Sequence, residues 1–99
     1  MSRRIDIVEV GPRDGLQNDP ADLTAAQKLE FIARLEDCGV RRIEAGAFVS
    51  PRAVPKMATS GEVFHNLTKT EGRSRIALAL NEKGVRLSLI HISEPTRPY

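Results

Sequence analysis

The stretch EVGPRDGLQND, Glu9 to Asp19, decides how the rest of the chain is read. It overlaps the end of an apolar run, RIDIVEV, and breaks regular structure at once with Gly11 and Pro12. A turn needs Gly and Pro, but it has no need of the arginine and aspartate that follow. Upstream, Ile5, Ile7, Val8 and Val10 crowd into Arg4 to Val10. That run is too apolar for clean alternation and predicts a strand buried on both faces, the pattern of a parallel sheet.

Downstream the pattern changes to a helical period. Thr24 and Gln27 have the spacing of a capping box, and Leu29, Ile32 and Leu35 then share one face, with Phe31 and Cys38 nearby and Gly39 as a stop. This predicts a helix from Ala25 to Cys38, with Cys38 as a buried apolar thiol. Val40 to Ala45 (VRRIEA) reads as a second strand ended by Gly46. SGEVFHNLTK predicts a short second helix with Val63, Phe64 and Leu67 inward and His65 on its surface. Arg75 to Leu80 (RIALAL) reads as a third strand, after which Asn81 caps a third helix begun by NEKG. The order is βαβαβ with short connections, which gives a parallel sheet with helices on one face.

The loops after parallel strands gather at one end of the sheet, and in barrels of this kind that end carries the chemistry. Arg13 and Asp14 lie just past the first strand, Glu44 near the end of the second and Asn81 at the end of the third. Each has a bland explanation: Asp14 before Gly15 makes a turn, Arg13 is solvated, Glu44 pairs with Arg41 or Arg42, and Asn81 caps a helix. Together, three successive strands aiming polar groups at one rim point to a site.

Composition narrows the function classes. The 15 basic and 13 acidic residues are scattered, giving a formal charge of +2, and aromatic residues make up 4% of the chain, which argues against nucleic acid as a partner. Cys38 is the single cysteine, so no disulfide within the chain is possible and a reducing cytoplasm is the simplest compartment. No apolar run has the length of a membrane span, and MSRRIDIVEV has neither the apolar core of a signal peptide nor the character of a transit peptide. No membrane association is expected.

The segment VEVGPRDGLQN, joined to IEAGAFVSPRAVPKMA at the second strand and NEKG at the third, closely resembles the N-terminal part of the hydroxymethylglutaryl-CoA lyases. These belong to a superfamily of metal-dependent lyases and Claisen-condensing enzymes built on a TIM barrel. The resemblance runs from Ile5 to Arg86. RDGxQ marks the superfamily, whereas VGPRDGLQN with FVSPxxVPxM marks the lyase branch. Many relatives have Ser where this chain has Ala47 and Trp where it has Ala53. The fold it implies is α/β: an N-terminal βαβαβ portion of a TIM (β/α)8 barrel, incomplete in this chain.

The resemblance also implies roles. The reaction would cleave 3-hydroxy-3-methylglutaryl-CoA to acetoacetate and acetyl-CoA with a divalent metal, Mg2+ or Mn2+, so the partner is an acyl-CoA thioester and the parent enzyme is expected to be a homo-oligomer. By similarity Asp14 is a metal ligand, Arg13 binds substrate and neutralises the developing enolate oxygen, Gln17 orients substrate or a metal ligand, and Glu44 is a rim carboxylate of the substrate site that steers Arg13 or bound water. The family's His-x-His pair is missing, since His65 and His91 stand alone, and Cys38 does not fill the place of the family's cysteine in a glycine-rich loop. Two alternatives remain: another superfamily member running a Claisen condensation, of the isopropylmalate or homocitrate synthase type, and a partial barrel with no function of its own. The tail LSLIHISEPTRPY, Leu87 to Tyr99, does not match the family and resembles translated read-through of a sequencing adapter. Residues 1–86 are therefore expected to be barrel and 87–99 a non-native tail, the isolated chain inactive and poorly folded with its strand edges open.

Overall fold

The computed structural model describes the backbone of residues 4–92 and the side chains of residues 4–89. Three strands, β1 (Val8–Glu9), β2 (Arg42–Phe48) and β3 (Ser74–Ala79), form a parallel sheet in the order β1-β2-β3. Between and after them run α1 (Leu16–Asn18), α2 (Ala25–Asp37), α3 (Ser60–His65) and α4 (Glu82–Ile92). The βαβαβ order expected from the sequence is present.

The α2 helix starts where its sequence says it should. The Thr24 hydroxyl accepts from the Gln27 N–H at 3.2 Å and the Gln27 side chain accepts from the Thr24 N–H at 2.9 Å, the reciprocal capping box. It ends as the chain enters Gly39 at φ +99°, a conformation that a Cβ would strain. Cys38, the residue closing the helix, is exposed rather than buried. It lies six residues past the fully buried Ile32, which at 3.6 residues per turn places it a third of a turn off the core face.

The buried stripe of α2 meets β2 and α3. Ile32, Ile43, Ala45, Val63, Phe64 and Phe48 form the core, with Leu67, Ala77 and Leu87 packed against it. Phe48 and Phe64 stack in a tilted pair with centroids 5.5 Å apart. Fully burying side chains such as Ile32, Ile43 and Val63 contributes about 1.5–3 kcal/mol each. A charged pair joins the same layer: the buried Glu36 carboxylate accepts from Arg75 Nε and Nη2 at 2.7 and 3.0 Å, tying α2 to β3.

Three strand expectations are corrected. The first strand shortens from Arg4–Val10 to Val8–Glu9, and Ile5 and Ile7 are 84% and 80% exposed instead of buried on both faces. A parallel strand is enclosed only when both neighbours and both covering layers are present, and β1 pairs with β2 alone among the described residues. The second strand does not stop at Gly46. It runs through it to Phe48, with an irregular register between Glu44 and Gly46. Gly46 is there for close approach, because a Cβ would stand 2.6 Å from Ser60 Oγ at the start of α3. The third strand is shifted by one residue to Ser74–Ala79.

Asn81 caps as expected, its Oδ1 accepting from the Gly84 N–H at 2.8 Å. The α4 helix then continues past Arg86 to Ile92, so the expected boundary at Leu87 is not a break in the helix. Residues 93–99 of the expected tail lie outside the described residues.

Candidate active site

The site grows from the turn after β1. Val10 O accepts from the N–H groups of both Arg13 and Gly15 at 3.1 Å, closing a π-helical turn over Gly11–Gly15. Pro12, fully buried and lacking an N–H, fits the start of such a turn, and the Glu9 carboxylate accepts from the Gly11 N–H at 3.2 Å. The chain is thereby folded back so that Arg13 reaches over the sheet.

There it meets Glu44. Arg13 Nε donates to Glu44 Oε1 at 2.7 Å, with the two side chains only 18% and 21% exposed. Glu44 sits between Ile43 and Ala45, whose side chains face the helices, and so stands on the opposite face of β2. It pairs with Arg13 and not with Arg41 or Arg42. Because this bond uses Nε, the terminal nitrogens of Arg13 remain toward the rim, where Nη1 lies 3.6 Å from Asp14 Oδ1. That separation gives a Coulombic contact but no hydrogen bond.

Asp14 is 53% exposed and is held from the other side. Asn18 Nδ2 donates to the Asp14 carbonyl at 2.9 Å and to its Oδ1 at 3.2 Å. Asn18, in the GLQN run, is a site residue that the sequence motifs do not single out. The signal was there in the i, i+4 spacing, which places both residues on one face of a helical turn. Gln17 lies half-buried in α1 beside them and its side chain makes no hydrogen bond among the described residues. Asn81 is committed to its helix cap. His65 is exposed at the end of α3, and the side chain of His91 falls outside those described.

The arrangement is a fixed guanidinium, a backing carboxylate and an open carboxylate beside it. It can bind and neutralise an oxyanion at the Arg13 fork. It does not amount to a metal centre: no group of three His, Cys, Asp or Glu residues that could hold an ion occurs among the described residues. Asp14 would supply one or two oxygens where a hard divalent cation takes about six.

Residues 4–88 match the family described as HMGL-like. The chain belongs to that family. Among relatives, the hydroxymethylglutaryl-CoA lyase of Pseudomonas mevalonii is 50% identical over 80 residues, covering 81% of this chain and 27% of that protein. The 3-hydroxy-3-isohexenylglutaryl-CoA/hydroxymethylglutaryl-CoA lyase of Pseudomonas aeruginosa is 43% identical over 89 residues, covering 90% of this chain and 30% of that one. A solved HMG-CoA lyase from Acinetobacter baumannii, in complex with coenzyme A and 3-methylmalate, superposes with a TM-score of 0.82 at 37% identity, over 87% of this chain and 28% of that one. The chain thus spans less than a third of the length of these HMGL-like proteins. Its parallel sheet and helices match the N-terminal part of their TIM barrel, which bears out the expected family and fold class.

Proposed function

We propose that this chain carries the first part of the active-site rim of a carbon–carbon lyase that cleaves 3-hydroxy-3-methylglutaryl-CoA to acetoacetate and acetyl-CoA. The observation that carries the reading is the Arg13 guanidinium, anchored at 2.7 Å to Glu44 through Nε, with Nη1 3.6 Å from Asp14 Oδ1 and no hydrogen bond from either terminal nitrogen among the described residues. In the cleavage, the tertiary hydroxyl loses its proton to a base, the oxygen's electrons form the new ketone of acetoacetate, the electrons of the broken C–C bond pass into a thioester enolate, and that enolate carbon takes up one proton to give acetyl-CoA. Arg13 offers two donors to that enolate oxygen from a position set before substrate arrives, so little reorganisation is needed as charge develops. Glu44 is the carboxylate that keeps the fork aimed, and the unengaged Gln17 amide is available to orient substrate. The A. baumannii complex with coenzyme A supports an acyl-CoA thioester as the partner.

A divalent cation, Mg2+ or Mn2+, is the cofactor that the family implies, and Asp14 is the residue here that would face it. The described residues fall short of a whole metal site, so the isolated chain should hold such an ion weakly and show no turnover. In this reading residues 1–86 are barrel and 87–99 are a non-native tail, whose first residue, Leu87, nonetheless packs on the core and falls within the family match to residue 88. An open frame in the source DNA running past Arg86 toward a His-x-His pair is the expected finding, and a frame closing at Tyr99 in intact genomic DNA would remove that division.

The function is tested by grafting residues 1–86 in place of the matching segment of the P. mevalonii lyase and following acetoacetate release. Turnover of hydroxymethylglutaryl-CoA by the hybrid is expected. A folded hybrid that releases no acetoacetate with Mg2+ or Mn2+ present would sink the assignment.

A further inference from the structure

Lys28 is a buried cation that the proposed chemistry does not use. It lies on the inward stripe of α2 between Ala25 and Ile32, where an unpaired ammonium would be costly. Its Nζ donates to the Lys56 carbonyl at 2.5 Å and to Thr59 Oγ1 at 2.9 Å. Lys56 in turn sends its own Nζ to the Ala21 carbonyl at 2.6 Å and to Asp22 Oδ1 at 3.1 Å. Two lysines thus knit three segments: the loop before α2, the first turns of α2, and the loop after β2. Burial, then the neighbouring Lys56 charge, pulls the Lys28 ammonium below its usual range, with Asp22 opposing.

Each end of this arrangement leads to the site. On one side, the 3-10 turn Pro55–Met57 packs against α1, which carries Gln17 and Asn18, and Asn18 holds Asp14. On the other, Thr59 precedes Ser60, whose Oγ accepts from the Ala47 N–H at 3.0 Å, three residues beyond Glu44 on β2. A methionine of similar length would fill the Lys28 position without desolvating a charge, so packing alone gives no reason for an ammonium there. What the ammonium adds is direction, because its donors fix a particular carbonyl and hydroxyl of the facing loop.

We infer that Lys28 and Lys56 form a clasp that positions the Asp14 loop against the Arg13–Glu44 pair, making both lysines positioning residues of the rim. The relevance to catalysis rests on the lyase reading; the clasp itself does not. Hydrogen–deuterium exchange by mass spectrometry on the hybrid lyase, where residues 1–86 sit in a closed barrel, separates the two. Lys56→Met is expected to speed exchange in residues 11–18 about tenfold while residues 43–48 keep their protection, and Lys56→Arg, which still reaches the Ala21 carbonyl, is expected to restore it. Faster exchange confined to residues 54–59 would reduce the clasp to a local brace and overturn the proposal, as would a hybrid with Lys56 intact that showed no protection at 43–48. Should Lys28→Met unfold the chain outright, the Lys56 pair of variants still decides. In the hybrid lyase, Lys56→Met is expected to lower kcat about tenfold with KM within twofold, the signature of misplaced groups rather than lost binding. Unchanged kcat there would overturn the positioning role. A hybrid inactive with Lys56 intact would remove the lyase reading and leave the exchange result to judge the clasp.

Discussion

On the face of the sheet covered by helices, Ile43 and Ala45 of β2 are 0% and 1% exposed beneath Ile32, Val63 and Phe64. Across the same strands, Val8 and Ile76 stand at 39% and 37% exposure. The register puts Val8 level with Arg42 and Ile76 level with Glu44, so these apolar residues share the face from which Glu44 reaches Arg13. One face holds the fold together and the other carries the Arg13–Glu44 pair. A barrel interior is filled by side chains from all its strands, so the face with that pair is the one that the three strands among the described residues leave unfinished.

The largest effect should come from breaking the finished face. Phe64 packs on Phe48 and is buried in the core, so Phe64→Ala removes a large side chain from a site whose neighbours relax only in part. A loss of about 3–5 kcal/mol is expected, read as lost exchange protection in residues 43–48. Protection unchanged by this substitution would mean that the covered face is not what stabilises the segment.

The next effect belongs to the other face. Arg13→Lys in the hybrid lyase keeps the charge but loses the fork, since an ammonium cannot bond Glu44 through Nε and still present two further nitrogens in plane. Turnover is expected to fall on the order of 10²-fold, about 2.7 kcal/mol, with much smaller movement in KM. Equal loss of turnover and of folding by circular dichroism would return Arg13 to the structural side of the comparison.

The two faces were also unequally legible in sequence. Thr24 with Gln27, Gly39, Val63 and Phe64 declared α2, α3 and the core because capping, chain reversal and apolar period are local properties. Arg13 and Glu44 could be named as rim candidates, yet their bond spans 31 positions and is made by a π-helical turn that no local pattern announces. Gly46 misled for a related reason. Glycine in a strand reads as an ending until the neighbour it admits is known, and that neighbour is Ser60. Lys28 and Glu36 gave no sign of burial, because charged residues on a helix are ordinarily its solvated face and their partners lie far along the chain.

Gly46→Ala therefore tests the join between the faces. Its Cβ would crowd the Ser60 oxygen that holds the Ala47 N–H, on the strand that also carries Glu44. A cost of about 1–3 kcal/mol is expected, smaller than Phe64→Ala because a serine side chain can turn aside at the expense of one hydrogen bond. Restored stability in Gly46→Ala combined with Ser60→Ala, judged by the same exchange protection, would locate the strain at that contact.

The smallest effect should be the most discriminating. Ile76 is an apolar residue of β3 that in this chain already meets solvent, so Ile76→Thr should change the stability of the 99-residue chain by no more than about 0.5 kcal/mol. It should also reduce self-association, because it takes a β-branched hydrophobe out of an uncovered sheet face. In the hybrid barrel the same substitution should cost more, about 1–3 kcal/mol, since the completed interior would close over the position and leave the hydroxyl to find a partner. The difference between the two hosts measures how much of the fold the missing strands provide at the face where Glu44 and Arg13 meet. Equal cost in both would show that the open face is finished by the segment itself, and the division of labour between the two faces would fail at its simplest point.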